Sequence, residues 1–403
     1  MHTEQHKGHL TYCSNIHPGE TWAATFSALK KHIPEIKSQL GAAKFGIGLR
    51  LSDQASVDLL EGDNLEEFKT WLASANAYVF TMNGFPFGGF HDVVVKDKVH
   101  EPDWLSTARL DYTKRLFDIL AELLPAGMDG GVSTSPVSYK YWHKTAEDLE
   151  QAKSVGAKAM AEVAIHVHDL FEKTGKVLHL DIEPEPDGVL ETGQEFVDFY
   201  NDFLLEVGKE WIEAKRPGLD AEEVIRRHLQ ICFDVCHFAV GFEQIDTALE
   251  NLNKNGITIG RIQISAALSS GVCNEETDKK ALREKLEVFD EPTYLHQAIM
   301  QGKSGELRRF RDLGPALEVL EKVDFEEIRS HFHVPIFLDD FNGLKSTQSA
   351  ISECLKVWKE KNFTNHLEIE TYTWSVLPQS LQVDMSASIV RELQWVLDEL
   401  NRK

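Results

Sequence analysis

The chain repeats one order along nearly its whole length: a short β-rich run, then a longer amphipathic helical pattern. The strand candidates are GHLTYCSNIH (8–17), KFGIGLRLS (44–52), AYVFTMNG (77–84), MDGGVSTSP (128–136), KVLHLDIEPEP (176–186), LQICFDVCH (229–237), IGRIQISAAL (259–268), HFHVPIF (331–337) and HLEIETYTW (366–374). Helical patterns cover 22–40, 103–124, 145–174, 193–214, 345–361 and 386–402, and Thr192 with Glu195 forms a capping box ahead of the fourth. Strands that alternate with helices in this way run parallel and are joined by right-handed crossovers. The candidates exceed by one the eight strands of a closed (β/α)8 barrel. HFHVPIF reads as the extra one, inside a long excursion after the seventh strand, because 269–345 is too long for a minimal βα unit. The expectation is one α/β domain over 1–403, a (β/α)8 TIM barrel with an inserted segment around 269–345.

Parallel strands buried on both faces usually read as continuous apolar runs. Several here alternate instead. Leu178, Leu180 and Ile182 share one face, and His179, Asp181 and Glu183 the other. Ile231, Phe233 and Val235 alternate with Cys232 and Asp234; Ile262 and Ile264 with Arg261, Gln263 and Ser265; Leu367 and Ile369 with Glu368 and Glu370. The apolar face must meet the helices, so the polar face points down the barrel axis. Charges there are costly unless paired, hydrogen-bonded or metal-bound. An antiparallel sheet with one wet face would alternate in the same way; the long intervening helices favour a barrel with a polar mouth.

Composition narrows the function. Lys plus Arg number 42 against 65 Asp plus Glu, a net charge of −23. That opposes a nucleic-acid track and docking on anionic lipid. No apolar run approaches the length of a membrane span, so no membrane insertion is expected. MHTEQHKGHL has no basic stretch leading into an apolar core, and the cytoplasm is the expected location. The five cysteines, Cys13, Cys232, Cys236, Cys273 and Cys354, suit reduced buried thiols, with Cys232 and Cys236 both read in a strand. GFPFGG lacks the Lys-Ser/Thr ending of a phosphate cradle, and neither a G-x-S-x-G elbow nor an H-E-x-x-H helix occurs. Phe85, Phe87 and Phe90 on that glycine-rich loop suit either a cover over an apolar ligand or packing between loops.

The residues suited to chemistry are carboxylates and histidines near strand ends. Glu183 ends the fifth strand, Asp234 lies near the end of the sixth with His237 three residues on, Gln263 sits in the seventh, and Glu370 in the eighth. His331 and His333 alternate in HFHVPIF. Oxygen donors with some imidazole suit Mn, Mg, Co or Zn as divalent ions. Two carboxylates flanking a substrate also suit paired acid–base work.

With these residues in place, the strand order and the Glu…Asp-x-x-His…Glu arrangement resemble the xylose-isomerase-like TIM barrels, which include sugar isomerases, tagatose and psicose epimerases, and endonuclease IV. Within that group GHLTYCSNIHPGETW, LDIEPEPDG, QICFDVCHFAV, QISAAL, DEPTYLHQ, HFHVPIF and LEIETYTWSVLP look most like the metabolite traffic proteins of EboE type, over nearly the whole chain. The resemblance implies a divalent metal held by a glutamate, an aspartate, a histidine and a second glutamate. Glu183, Asp234 and Glu370 match the three carboxylates, and His237 a substrate-contacting histidine. The histidine position reads Gln263, and His333 is the alternative source of a nitrogen. The resemblance further implies an operon that makes or moves a prenylated or otherwise hydrophobic secondary metabolite, with a small-molecule metabolite and other proteins of the same operon as partners.

Two activities remain open. In one, a metal-dependent isomerase or epimerase works through an enediolate, with Glu183 and Glu370 as the proton-transferring pair. In the other, a non-catalytic barrel binds and hands on the metabolite, a reading favoured by Gln263. A nuclease fits worst, given the charge. Asn15, His17, Arg50 and Asn83 end early strands and are candidate substrate contacts, as is His296 in the excursion; ordinary loop hydrogen bonding is an equal alternative for these five.

Overall fold

The computed structural model describes residues 1, 8–91, 94–274, 276–379, 382 and 384–402. Barrel strands β1 (His9–Tyr12), β2 (Phe45–Arg50), β3 (Ala77–Asn83), β4 (Gly130–Thr134), β5 (Leu178–Ile182), β6 (Leu229–Asp234) and β7 (Ile259–Ile264) are followed by six strands outside the barrel. These are β8 (Ala266–Ser269), β9 (Ala298–Gln301), β10 (Leu307–Phe310), β11 (Glu327–Val334), β12 (Asp340–Phe341) and β13 (Leu344–Ser346), before β14 (His366–Ile369) completes the set. The first sheet has the order β1-β14-β7-β6-β5-β4-β3-β2, with neighbouring strands parallel. A parallel bridge from Cys13 to Gly48 sets β1 beside β2 and brings the ring to closure. The eight-stranded barrel with alternating helices is therefore present, and the excursion after β7 forms its own antiparallel sheet, β10-β9-β11-β8-β13-β12.

The two-residue alternation has the expected physical result. Leu178, Leu180, Ile182, Ile231, Phe233, Ile262 and Ile264 are buried in the main apolar core. Inside the ring, Arg261 Nε donates to Asp181 Oδ2 at 3.0 Å and Nη1 to Glu368 Oε2 at 2.7 Å, while His179 Nδ1 lies 2.6 Å from Asp181 Oδ1. A guanidinium is thus clamped between two carboxylates with essentially no solvent exposure, which answers the cost of buried charge. Small residues make the room. A Cβ on Gly48 would stand 2.0 Å from Glu368 Oε1, and one on Gly260 1.8 Å from Asp181 Oδ1.

Two local expectations change. Strand β6 stops at Asp234, because its carboxylate accepts from the backbone N–H of His237 and caps the helix Val235–Val240, so Cys236 lies in a helix rather than a strand. The helix expected from 345 begins at Gln348, since Leu344–Ser346 pairs with β8 and β12 as an edge hairpin. All five cysteines are buried free thiols. Among the described residues no helix is long and apolar enough to cross a membrane.

Candidate metal centre and cavity

The site forms where the C-terminal strand ends meet β11. Asn83 is the last residue of β3, Glu183 follows β5, Asp234 ends β6, and Glu370 follows β14. Strand β11 crosses the mouth. Its pairing with β8 shifts register between Ser330 and Val334, and His331 and His333 lie in that irregular stretch. A cleft is lined by Asn15, Asn83, Glu183, Glu185, His237, His331 and Glu370, among others.

One carboxylate oxygen from each of Glu183, Asp234 and Glu370 falls within 4.8 Å of the others, and all three residues are buried. Asn15 Nδ2 donates to Glu370 Oε1 at 2.7 Å and Asn83 Nδ2 to the same oxygen at 3.0 Å. Asp234 Oδ1 accepts from Ser265 Oγ at 2.7 Å as well as from the His237 N–H. Burial, then the neighbouring Glu370 and Asp234 charges, pushes the Glu183 carboxyl well above its usual range. Burial and Asp234 push Glu370 up to about 8. These groups resist ionising side by side without a cation.

The unpartnered atoms point the same way. Glu183 Oε2, Asp234 Oδ2 and His333 Nε2 are buried with no hydrogen-bond partner among the described residues. His333 Nδ1 donates to the Glu370 carbonyl at 2.9 Å, so its Nε2 carries the lone pair in the neutral ring. Burial lowers His333 to about 4. Asp234, His237 and His333 also gather ligand atoms within 4.8 Å of one another. Buried, unsatisfied acceptors of this kind fit a divalent ion. Gln263 is buried beside Glu370, whose charged form its amide favours. Its Oε1 and Nε2 have no hydrogen bond of normal geometry among the described residues.

The remaining sequence candidates separate. Asn15, Asn83 and His237 reach the cleft. His17 and Arg50 line a different, small recess, where His17 Nε2 meets Tyr12 Oη at 2.9 Å and its ring stacks on His32. Arg50 Nη1 binds Gly19 O at 3.1 Å and Glu20 Oε1 at 3.2 Å, and Nη2 binds Gly88 O. It anchors the phenylalanine loop rather than lining the cleft. His296 does not line the cleft either: Nε2 meets Glu291 Oε1 at 2.7 Å and Nδ1 the His331 carbonyl at 3.0 Å, which braces β11 from behind. On the loop after β3, Phe85 and Phe90 face the cleft with Tyr294 and Tyr372, while Phe87 packs against Tyr112. Glu185, His100, Gln297 and Tyr372 were not singled out from the sequence. Only Glu185 carried a signal: Pro184 and Pro186 hold EPEP extended, and a period of two puts Glu185 on the side of Glu183.

Neither a protein-family model nor a curated protein matches the chain. Among solved structures, a xylose isomerase-like TIM barrel protein from Mycobacterium smegmatis in complex with magnesium has a TM-score of 0.51 at 12% identity, covering 98% of this chain and 96% of that one. The fold is that of the xylose isomerase-like TIM barrels. An L-ribulose 3-epimerase has a TM-score of 0.49 at 12% identity over 98% of this chain and 94% of its own. The IolI protein with a bound zinc atom has 0.45 at 13% over 97% and 98%. No sequence match supports the narrower resemblance to the EboE-type proteins.

Proposed function

We propose that the chain is a divalent-metal-dependent isomerase or epimerase of a small, sugar-like or polyol-like hydroxy-carbonyl compound. The observation that carries this is the pair Glu183 and Glu370, two buried carboxyls that share a cluster with Asp234 and both line one cleft. Glu183, Asp234 and Glu370, with Gln263 or His333 completing the set, would hold Mn, Mg, Co or Zn. When bound, such an ion supplies Lewis-acid stabilisation of negative charge on a substrate oxygen. The proton work falls to the chain's own carboxyls. One takes the proton from the carbon beside the carbonyl, the other, protonated, gives its own to the neighbouring carbon or to the opposite face, and the two reset by exchange with solvent. Asn15 and Asn83 fix Glu370 through Oε1, which leaves Oε2 for proton transfer. Phe85, Phe90, Tyr294 and Tyr372 exclude water from the reacting carbon.

The test is solvent-proton exchange. A panel of ketoses and related hydroxy-ketones in D₂O, followed by NMR, is expected to show deuterium entering beside the carbonyl. Glu183→Gln and Glu370→Gln are each expected to lower that rate by about 10²–10⁴-fold. Exchange that survives both substitutions would overturn the proposal. A second reading is a binding or traffic protein of EboE type, for a hydrophobic metabolite handled with other proteins of its operon. It is favoured by Gln263 at the position where the epimerase pattern has histidine and by the aromatic wall of the cleft. Tight capture of such a ligand with no exchange would select it.

A further inference from the structure

The period of two that carries Glu183 and Glu370 to the mouth also fixes what lies beneath them. Four residues upstream, on the same strands and the same inward face, stand His179 and His366, about 13 Å away at about 3.3 Å per residue. Asp181, Arg261 and Glu368 fill the layer between. Beside the two imidazoles lies Asp129, the residue before β4. Asp129, His179 and His366 bring one ligand atom each within 4.8 Å of the others. This group sits at the N-terminal end of the strands, apart from the cleft.

Hydrogen bonding does not account for the arrangement. His179 Nδ1 lies 2.6 Å from Asp181 Oδ1, and Arg261 holds the other oxygen of that carboxylate at 3.0 Å. A carboxylate only accepts, so Nδ1 carries the proton and Nε2 of the neutral ring carries a lone pair. That Nε2 stands 4.0 Å from Asp129 Oδ2, and His366 Nε2 stands 3.6 Å from Asp129 Oδ1. A shared proton would draw such pairs to about 2.7–2.9 Å. Two donors on one tetrahedral ion, with bonds of about 2.0–2.1 Å, stand about 3.3 Å apart, so the observed gaps have room for an ion and are too wide for a proton. Neither nitrogen of His366 has a hydrogen-bond partner among the described residues, although its side chain has no solvent exposure. His179 is also held as metal-binding imidazoles are, with its far N–H on a carboxylate. A Cβ on Gly131 would stand 2.6 Å from His179 Cε1, so the ring fits only because β4 carries no side chain there.

We propose that Asp129, His179 and His366 hold a borderline divalent ion such as Zn²⁺ at the N-terminal end of the barrel. Two imidazoles and one carboxylate suit Zn²⁺ or Co²⁺ better than Mg²⁺. The Asp129 side chain is 33% exposed, which gives the ion a way in and a fourth position toward solvent. Strands β4 and β5 are neighbours, but β6 and β7 separate β5 from β14, so the ion would tie two sides of the ring together. Its part is to brace the barrel beneath the mouth. The site shares no residue with the Glu183–Asp234–Glu370 cluster and does not rest on the isomerase reading.

The test uses the full chain carrying Glu370→Gln, which disables the mouth cluster, stripped with chelator and dialysed against Zn²⁺. Mass spectrometry is expected to find one equivalent of bound zinc, and the ion should raise the thermal unfolding midpoint. Adding Asp129→Asn or His366→Gln should remove both the equivalent and the rise. Co²⁺ in place of Zn²⁺ should give the intense visible bands of four-coordinate cobalt, lost with the same two substitutions. Circular dichroism in chelator reports folding, and Asp129→Asn, at a part-exposed position and with little change of shape, serves if His366→Gln does not fold. No equivalent in the Glu370→Gln chain, or one indifferent to both Asp129→Asn and His366→Gln, would overturn the site. The mouth cluster is judged separately, by the metal that Glu370→Gln loses relative to the native chain, so either site can fail alone.

Discussion

Replacing Glu370 by glutamine should stabilise the metal-free protein and destabilise the loaded one. Burial and Asp234 push the Glu370 carboxyl from its ordinary 4.5 up to about 8. The folded state then holds that proton to higher pH than the unfolded chain does. The penalty is absent below about pH 4.5, grows as pH rises, and is complete above about pH 8. At about 1.4 kcal/mol per pH unit, the rise from 4.5 to about 8 sets a ceiling of about 4 kcal/mol near pH 8 and about 1 kcal/mol at pH 5. Glu183 shares the charge with Glu370, so half to all of that ceiling is expected. The introduced amide keeps a carbonyl oxygen for Asn15 and Asn83, and the substitution removes charge with little change of shape. Urea denaturation in chelator should therefore find E370Q more stable than the native chain by about 2–4 kcal/mol at pH 8, and nearly equal to it at pH 5. With a divalent ion at about 100 times its Kd, the native chain gains about 2.7 kcal/mol that the variant largely forgoes, and the order closes or inverts. If E370Q is the less stable protein in chelator at pH 8, or if the gap ignores pH, the account of three carboxylates repelling one another around an ion's position is wrong.

Three further outcomes test the frame around the site. Burial pushes Glu243, which holds the Gly193 N–H at the start of the helix Gly193–Phe199, up to about 7 from 4.5, so Glu243→Gln should stabilise the chain by up to about 3 kcal/mol at pH 8 and by little at pH 5; equal urea midpoint shifts at the two pH values would refute it. Gly48→Ala sets a Cβ 2.0 Å from Glu368 Oε1 and 2.7 Å from the Tyr12 carbonyl, where β1 and β2 close the ring; a loss of about 3 kcal/mol or more is expected in urea unfolding, and native stability would mean that the closure is looser than described. Arg261→Met strands two buried carboxylates and should cost about 3–5 kcal/mol, most of it recovered when Asp181→Asn and Glu368→Gln are added; a triple variant no more stable than R261M would refute the charge argument.

What the sequence made legible follows from locality. The barrel was readable because each β–helix unit repeats the same local pattern, and the inward carboxylates because a period of two sorts them face by face. Glu183 stood out where Pro184 ends the strand, and Asp234 stood out with His237 three residues on. The cap that turns the chain at Asp234 is equally local, yet VCHFAV follows FD with no break in its apolar character, and the helix was hidden by it. The arrangement of His331 was not legible. It depends on the pairing of β11 with β8 and β9, on a register shift between Ser330 and Val334, and on Gln297 from a different strand connection. Arg50 and His17 ended strands as a mouth residue would, but Glu20 and the Gly19 and Gly88 carbonyls claim the guanidinium, and Tyr12 claims the imidazole.

The cleft draws its donors from both sheets. The barrel delivers the three carboxylates, Glu183, Asp234 and Glu370, and two imidazoles, His237 on the helix after β6 and His100 on the segment between β3 and β4. Further nitrogen arrives from above, on His331 and His333 of β11. That strand is pinned to the barrel rather than laid loosely over it: His333 Nδ1 donates to the Glu370 carbonyl, Thr373 Oγ1 donates to the His333 carbonyl, and Arg329 Nη1 donates to the Ala239 carbonyl at the end of the helix that Asp234 caps. Each contact ties β11 to the backbone beside a carboxylate of the cluster. The mix of carboxylate and imidazole donors around the cleft therefore depends on the docking of one sheet on the other, and in the proposed metal site a change that loosens β11 would alter ion preference before it altered the barrel.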